Sequence, residues 1–75
     1  MFEEIKKILI SEMDVDESVI TPEAQLSGDL GVNSLELADL VLLCEDKFGV
    51  SISDDDVRSF VTVADVVTYL ENNAK

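Results

Sequence analysis

The sequence contains no histidine, no tryptophan, a single cysteine, a single proline and only 5 basic residues. Without histidine, the Ser–His and Cys–His pairs that activate a catalytic nucleophile cannot form. One cysteine permits no internal disulfide and, in the absence of histidine, excludes the usual zinc ligand sets. We therefore expect neither a triad hydrolase nor a metal site.

The shortage of basic residues also limits which kinds of molecule can bind the chain. With 17 acidic residues against 5 basic ones, the formal net charge is −12. A field of this sign repels nucleic-acid phosphates and anionic lipid surfaces, and it attracts basic protein patches. The apolar runs are too short for a signal peptide or a membrane span. We expect no nucleic-acid partner, no membrane insertion and a cytoplasmic location.

The length and the apolar content indicate one folded unit. A chain of 75 residues is close to the lower limit for a domain held by a single hydrophobic core. Its hydrophobic fraction of 47% is ordinary for a globular protein and too high for an acidic disordered tail. We expect a single domain over residues 1–75 that is monomeric.

Hydrophobic periodicity predicts an all-α fold, a small bundle of three main helices plus one short helix. A stripe with helical spacing identifies the first helix: Phe2, Ile5, Leu9 and Met13. From residue 14 to residue 33 the periodicity fails, which predicts a long structured loop with one helical turn opening at Thr21-Pro22. The apolar residues expected to hold this loop on the core are Val15, Val19, Ile20, Leu26 and Leu30.

The second helix has clear boundaries. Asn33 is a good N-cap, Glu36 completes a pair of the capping-box type, and Gly49 ends the helix. Its buried stripe is expected to consist of Leu37, Leu40, Val41, Cys44 and Phe48. On this stripe the Cys44 thiol would behave as a small hydrophobic group.

Two further helices are predicted after Ser51. The short one begins at Ser53, with three aspartates in its first turn. The last one has Thr62 as its cap and Asp65 three residues later. The side chains that the last helix should bury are Val63, Val66, Val67 and Leu70.

Ser34 falls in the first turn of the predicted second helix. A serine at such a position is most often a capping or solvated residue. The N–H groups and the dipole of a helix N-terminus also favour an anion, so a phosphoester on this hydroxyl is chemically sensible. The residues alone leave both interpretations open.

The outer side of the same helix carries an apolar ridge beside acidic residues. Leu35 and Leu42 are separated by two helical turns, and Asp39 and Asp46 point to the same side. Isolated exposed leucines are common and need no explanation. An apolar ridge bordered by charges of one sign is nevertheless typical of a transient docking surface, because charge guides the encounter and the leucines supply contact.

The motif around Ser34 resembles the acyl carrier protein family. The stretch DLGVNSLEL at residues 29–37 carries the resemblance, together with EDKFGV at residues 45–50, and the likeness extends over essentially the whole chain. It implies that Ser34 bears a covalent 4′-phosphopantetheine transferred from coenzyme A by a phosphopantetheinyl transferase. It further implies a non-catalytic carrier that delivers acyl thioesters to fatty-acid or polyketide-type enzymes, such as synthases and acyltransferases.

The resemblance also implies two sets of residues around this attachment point. The docking set, which would meet basic patches on partner enzymes, comprises Leu35, Glu36, Asp39, Leu42, Glu45 and Asp46. The acyl-cavity set comprises Leu37, Leu40, Val41, Phe60, Val63 and Val67. Asn33 stands where many members of the family have aspartate, which favours a specialised pathway over housekeeping fatty-acid synthesis.

Three alternatives stay open from the sequence. The same arm could carry an aminoacyl, peptidyl or D-alanyl group. Residues 14–18 resemble the start of an EF-hand calcium loop, although Val19 replaces the required glycine and Gln25 the closing glutamate. Finally, the chain could be a plain interaction module in which Ser34 is unmodified or only phosphorylated.

Overall fold

The computed structural model describes residues 1–73, and within that range the chain forms four α-helices. Their bounds are α1 Phe2–Met13, α2 Ser34–Phe48, α3 Asp54–Ser59 and α4 Val63–Asn73. Among these residues there is no strand, and a single bridge pairs Gln25 with Thr62. The prediction of a small all-α bundle with one short helix and a long structured loop is confirmed.

The core is formed by apolar side chains from α1, α2 and α4, together with residues of the connecting segments such as Ile20, Leu26 and Phe60. Burying each leucine or isoleucine contributes about 1.5–3 kcal/mol. The side chains that are entirely enclosed are Ile5, Leu9, Leu40, Cys44, Val63 and Leu70. The predicted stripe of α1 omitted Ile8, which is buried, because the apolar face of a globular helix is wider than a single row.

The long loop corrects two details of the prediction. It contains a 3₁₀ turn at Glu17–Val19 that the sequence did not predict, and the Asp16 carboxylate caps this turn by accepting a hydrogen bond from the Ser18 N–H at 2.9 Å. A single hydrogen-bonded turn also opens at Thr21-Pro22, as predicted, where the Ala24 N–H donates to the Thr21 carbonyl at 3.1 Å. Val19, expected on the core, is 39% exposed, whereas Ile20 and Leu26 are buried as predicted.

Backbone hydrogen bonds join the long loop to the segment between α3 and α4. The Leu26 N–H donates to the Val61 carbonyl at 2.9 Å, and the Val63 N–H donates to the Ala24 carbonyl at 3.0 Å. The Val32 N–H also donates to the Leu26 carbonyl at 2.8 Å, close to the start of α2. The loop therefore holds the N-terminus of α2 and the α3–α4 connection in one region of the molecule.

The start of α4 is fixed by a reciprocal cap. The Asp65 carboxylate accepts hydrogen bonds from the N–H groups of Thr62 at 3.0 Å and Val61 at 2.9 Å. The Asp65 N–H in turn donates to the Thr62 hydroxyl at 3.3 Å. The bonds from Thr62 and Val61 lower the pKa of Asp65, because they favour the ionised carboxylate.

This lowered pKa predicts how the Asp65→Asn variant responds to pH. A carboxylate whose pKa is lower in the folded state stabilises the fold above its unfolded pKa of about 4, and the stabilisation is lost as pH falls through the folded pKa. The variant should therefore melt at a lower temperature than the wild type at pH 7, and the difference should close in strong acid. Melting curves by circular dichroism between pH 7 and pH 2 test this.

Asp46→Asn is the matched control, since Asp46 is an exposed helical aspartate without such a cap. A difference between Asp65→Asn and the wild type that stays constant down to pH 2 would show that the charge of the cap is not responsible.

Candidate functional site

Ser34 is the first residue of α2 and its side chain is exposed to solvent. Within residues 1–73 its hydroxyl makes no hydrogen bond, so the oxygen is accessible and uncommitted. The residues on either side of it show why the helix starts here: the Asn33 side chain accepts from the Glu36 N–H at 2.9 Å, and the Glu36 carboxylate accepts from the Asn33 N–H at 3.1 Å. The predicted capping box is confirmed.

The tripeptide Asp29-Leu30-Gly31 turns the chain into α2. The Asp29 carboxylate accepts a hydrogen bond from the Gln25 N–H at 2.7 Å and closes the preceding turn. Gly31 has φ 71°, a left-handed conformation that glycine adopts without strain. The motif that carries the family resemblance therefore has a local structural role, which is to deliver Ser34 to the surface.

The surroundings of Ser34 fit a phosphodiester. In the described part of the chain, the capping box occupies the N–H groups of Asn33 and Glu36, and no protein acceptor bonds those of Ser34 and Leu35. Two free donors at the N-terminus of a 15-residue helix are a favourable environment for an anion. Glu36, the nearest acid on the helix, uses its carboxylate in the cap.

A cleft of about 340 Å³ lies directly beside Ser34. Its walls come from the long loop, the start of α2 and the α3–α4 connection: Leu26, Ser27, Val32, Asn33, Ser34, Leu37, Phe60 and Val61. Five of these eight residues are apolar, so the cleft beside the Ser34 hydroxyl is mainly apolar.

The structure places the predicted acyl-cavity residues in two groups. Leu37 and Phe60 line the cleft. The remaining four do not contact it: Leu40 and Val63 are fully enclosed in the core, Val41 is buried, and Val67 is half-buried. Sequence reasoning missed Leu26 and Val61, because the loops that supply them reach the cleft only through tertiary contacts, and it also missed Val32, which lies two positions before Ser34.

The predicted docking residues differ in their exposure and in whether their side chains are hydrogen-bonded within the domain. Leu35 is 79% exposed and Leu42 is 62% exposed, and Asp39 and Asp46 are also exposed. Glu36 is half-buried in the capping box. Glu45 is half-buried as well, and its carboxylate accepts from the Ile52 N–H at 2.7 Å, which ties α2 to the segment before α3.

A groove on this side of α2 includes two residues of α1 that are not in the predicted docking set. It has a volume of about 460 Å³. Its lining is Glu12, Met13, Glu36, Asp39, Leu42 and Leu43. Three of these belong to the predicted docking set, and Glu12 and Met13 extend the same combination of acidic and apolar groups onto α1.

The Cys44 thiol is buried, as predicted. Burial raises its pKa to about 11, with a smaller contribution from the charge of Glu45. A thiol in this state is neutral and enclosed, so Cys44 acts as part of the core.

Among residues 1–73, no group of three or more histidine, cysteine, aspartate or glutamate side chains is arranged to hold a metal ion. None of the helices described is both long enough and apolar enough to cross a bilayer.

Sequence comparison finds relatives along nearly the whole chain. The family described as "Phosphopantetheine attachment site" matches residues 3–70. An acyl carrier protein of Helicobacter pylori (strain G27) is 41% identical over 73 residues, which cover 97% of this chain and 94% of that protein. An acyl carrier protein of Campylobacter lari is 40% identical over 75 residues, covering 100% of this chain and 97% of that protein.

Two solved structures share the fold. A putative acyl carrier protein from Mycobacterium tuberculosis superposes with a TM-score of 0.87 at 34% identity, covering 95% of each chain. The acyl carrier protein of Thermotoga maritima superposes with a TM-score of 0.83 at 24% identity, covering 93% of this chain and 81% of that chain.

Proposed function

Because this chain belongs to the acyl carrier protein family, we propose that Ser34 is the attachment point of its 4′-phosphopantetheine and that the chain delivers acyl groups to fatty-acid or polyketide-type enzymes. The observation that carries the proposal is the exposed, uncommitted Ser34 hydroxyl at the N-terminus of α2, inside the matched phosphopantetheine attachment region. The bound arm supplies a thiol on which acyl groups are held as thioesters.

The chain supplies the oxygen that is modified and the groups that bind the phosphodiester, and the transferase supplies the catalysis. The Ser34 oxygen forms a bond to the phosphorus that bears the pantetheine in coenzyme A, adenosine bisphosphate leaves, and a base of the transferase takes the hydroxyl proton. Within residues 1–73 no carboxylate or amine of the chain is hydrogen-bonded to the Ser34 hydroxyl, which supports a base supplied by the partner enzyme. The Ser34 and Leu35 N–H groups and the α2 dipole then stabilise the phosphodiester charge.

The outer face of α2 supports a proposal for how partners bind. Leu35 and Leu42 offer apolar contact, and Asp39 and Asp46 offer exposed negative charge beside them. The groove between α1 and α2 adds Glu12 and Met13 to this face. A phosphopantetheinyl transferase or synthase with a basic docking patch would complement this surface in both charge and contact.

Loading in vitro tests the attachment proposal. Purified chain is incubated with coenzyme A and a broad-specificity phosphopantetheinyl transferase, and the intact mass is measured. The expected result is a quantitative mass increase corresponding to one phosphopantetheine. An unchanged mass under conditions that load a control carrier would contradict the proposal.

Substitutions on the outer face of α2 test the docking proposal. Leu42→Ala removes apolar contact, and Asp39→Lys reverses one exposed charge, so each should lower the rate of loading by roughly 5- to 30-fold, as expected for interface losses of about 1–2 kcal/mol. Neither side chain is buried, and the melting temperature should change little. Initial rates from time-resolved intact masses give the comparison.

Glu71→Lys is the control for Asp39→Lys, because it makes the same charge reversal at an exposed position on α4. Equal loading rates for Asp39→Lys and Glu71→Lys would show that only the net charge matters, and would contradict a specific role for the outer face of α2.

A further inference from the structure

The lining of the cleft beside Ser34 contains no charged side chain, although the chain is strongly acidic. Its polar residues are Ser27, Asn33 and Ser34, which are all neutral, and the other five are apolar. In contrast, the groove between α1 and α2 is lined by three carboxylates, and a cleft beside α4 includes Asp65. An anion attached at Ser34 therefore meets less repulsion than it would on these neighbouring surfaces.

No cation of the described chain is placed to offset the charge of such an anion. Among residues 1–73, no lysine or arginine side chain lines the cleft. The carboxylate closest along α2, that of Glu36, accepts from the Asn33 N–H at 3.1 Å in the capping box. A phosphodiester on Ser34 must therefore be stabilised within the domain by neutral hydrogen-bond donors.

Asn33 has two such donors that its capping role leaves free. Its side-chain oxygen accepts from the Glu36 N–H at 2.9 Å, which occupies the acceptor of the amide. The amide also carries two N–H donors on Nδ2, and within residues 1–73 they bond no acceptor. The Asn33 side chain is exposed and lines the same cleft as Ser34, the next residue in the chain. The free N–H donors therefore lie beside the candidate attachment point.

The cap of α2 does not by itself require asparagine. Aspartate caps a helix N-terminus as well as asparagine does, but it would place a second negative charge beside the phosphodiester. Glycine is also accepted at an N-cap and has no side-chain donor. Substitution by these two residues therefore separates the capping role of Asn33 from a role toward the arm.

We propose that Asn33 is a positioning residue for the arm, an inference that rests on Ser34 being the attachment point. Its Nδ2 donates a hydrogen bond to a phosphodiester oxygen, alongside the N–H groups of Ser34 and Leu35. Its neutral side chain also keeps a second negative charge away from the phosphodiester. Because a hydrogen bond to an ionised acceptor is stronger than one between neutral groups, Asn33 stabilises the loaded chain more than the unloaded chain.

Paired melting curves test the hydrogen bond. Wild type, Asn33→Gly and Asn33→Asp are each measured without the arm and after complete loading, which intact mass confirms. The readout is the melting temperature of the loaded form minus that of the unloaded form of the same variant, so that a change in the cap cancels. This difference should be about 2–6 °C smaller in Asn33→Gly than in the wild type, and smaller still in Asn33→Asp because of repulsion.

The carboxyl group introduced by Asn33→Asp reports how close position 33 lies to the phosphodiester. A neighbouring negative charge disfavours the ionised form, so the pKa of this carboxyl group should rise by about 0.5 on loading. Titration of both forms followed by carbon-13 NMR gives the two values. Asn72→Asp is the matched control, because it makes the same change at an exposed residue of α4 that does not line the Ser34 cleft, and its pKa should not change on loading.

Two results would overturn the inference: a melting-temperature difference in Asn33→Gly equal to that of the wild type, or an introduced carboxyl group whose pKa stays the same on loading. Asn33→Gly alone can overturn it if Asn33→Asp is not loaded. Both results are distinct from a failure of the proposed attachment, which would appear earlier as an unchanged intact mass of the wild type or as an arm on another residue.

Discussion

Ser34→Ala is expected to abolish loading by the transferase completely, while the domain stays folded. The loss is total because the substitution removes the oxygen that bonds to phosphorus, and no other group can replace it at that position. Stability should change by no more than about 0.5 kcal/mol, since the Ser34 hydroxyl makes no hydrogen bond within residues 1–73 and alanine is a good helix former. Intact mass and a melting curve on the same sample give both quantities.

Ser27→Ala is the matched control for this variant. Ser27 is an exposed serine that lines the same cleft, seven positions before Ser34. It should load at the wild-type rate. If Ser34→Ala were loaded, or if Ser27→Ala were not, the attachment point would not be the serine at the N-terminus of α2.

Leu40→Ala is expected to destabilise the fold more than any surface change, by about 2–5 kcal/mol. Leu40 is 1% exposed and packs in the common core of the helices, so truncation removes apolar contact and leaves a cavity. For 75 residues the total free energy of unfolding is about 4–11 kcal/mol. The variant should thus lose between a fifth and all of its stability, which urea denaturation followed by circular dichroism measures.

Leu35→Ala makes the same chemical change on the same helix at a side chain that is 79% exposed. Its free energy of unfolding should stay within about 0.5 kcal/mol of the wild type. Its loading rate should fall, since Leu35 belongs to the proposed docking face. A stability loss in Leu35→Ala comparable with that of Leu40→Ala would contradict the placement of these two leucines on opposite sides of α2.

The helix boundaries could be predicted because the interactions that set them are local. Asn33 and Glu36, and likewise Thr62 and Asp65, bond across three residues, so the signal lies within a few letters of sequence. The buried centre of the apolar stripe of α2 could be predicted for the same reason, since helical spacing fixes which side chains share a face, whereas the two predicted residues at its ends are only half-buried. The exposed position of Ser34 follows directly from these two facts.

The features beside α2 that sequence reasoning missed depend on contacts between separate elements. The groove beside α2 needs Met13 of α1 next to Leu42, and no local pattern relates those residues. The Glu45 carboxylate looked like a free docking charge, but it bonds the Ile52 N–H seven positions later. Leu26 and Val61 line the Ser34 cleft together because the Leu26 N–H donates to the Val61 carbonyl, a contact between the long loop and the α3–α4 connection.

The central claim is that Ser34 carries the arm, and locating the modification on the loaded wild type tests it most directly. Cleavage after Lys7 and Lys47 releases residues 8–47, a peptide that contains the candidate hydroxyls Ser11, Ser18, Ser27 and Ser34. Tandem mass spectrometry of this peptide should place one phosphopantetheine on Ser34 and none on the other three serines. Phosphopantetheine on Ser27 or outside the peptide, or a peptide of unmodified mass, would contradict the account.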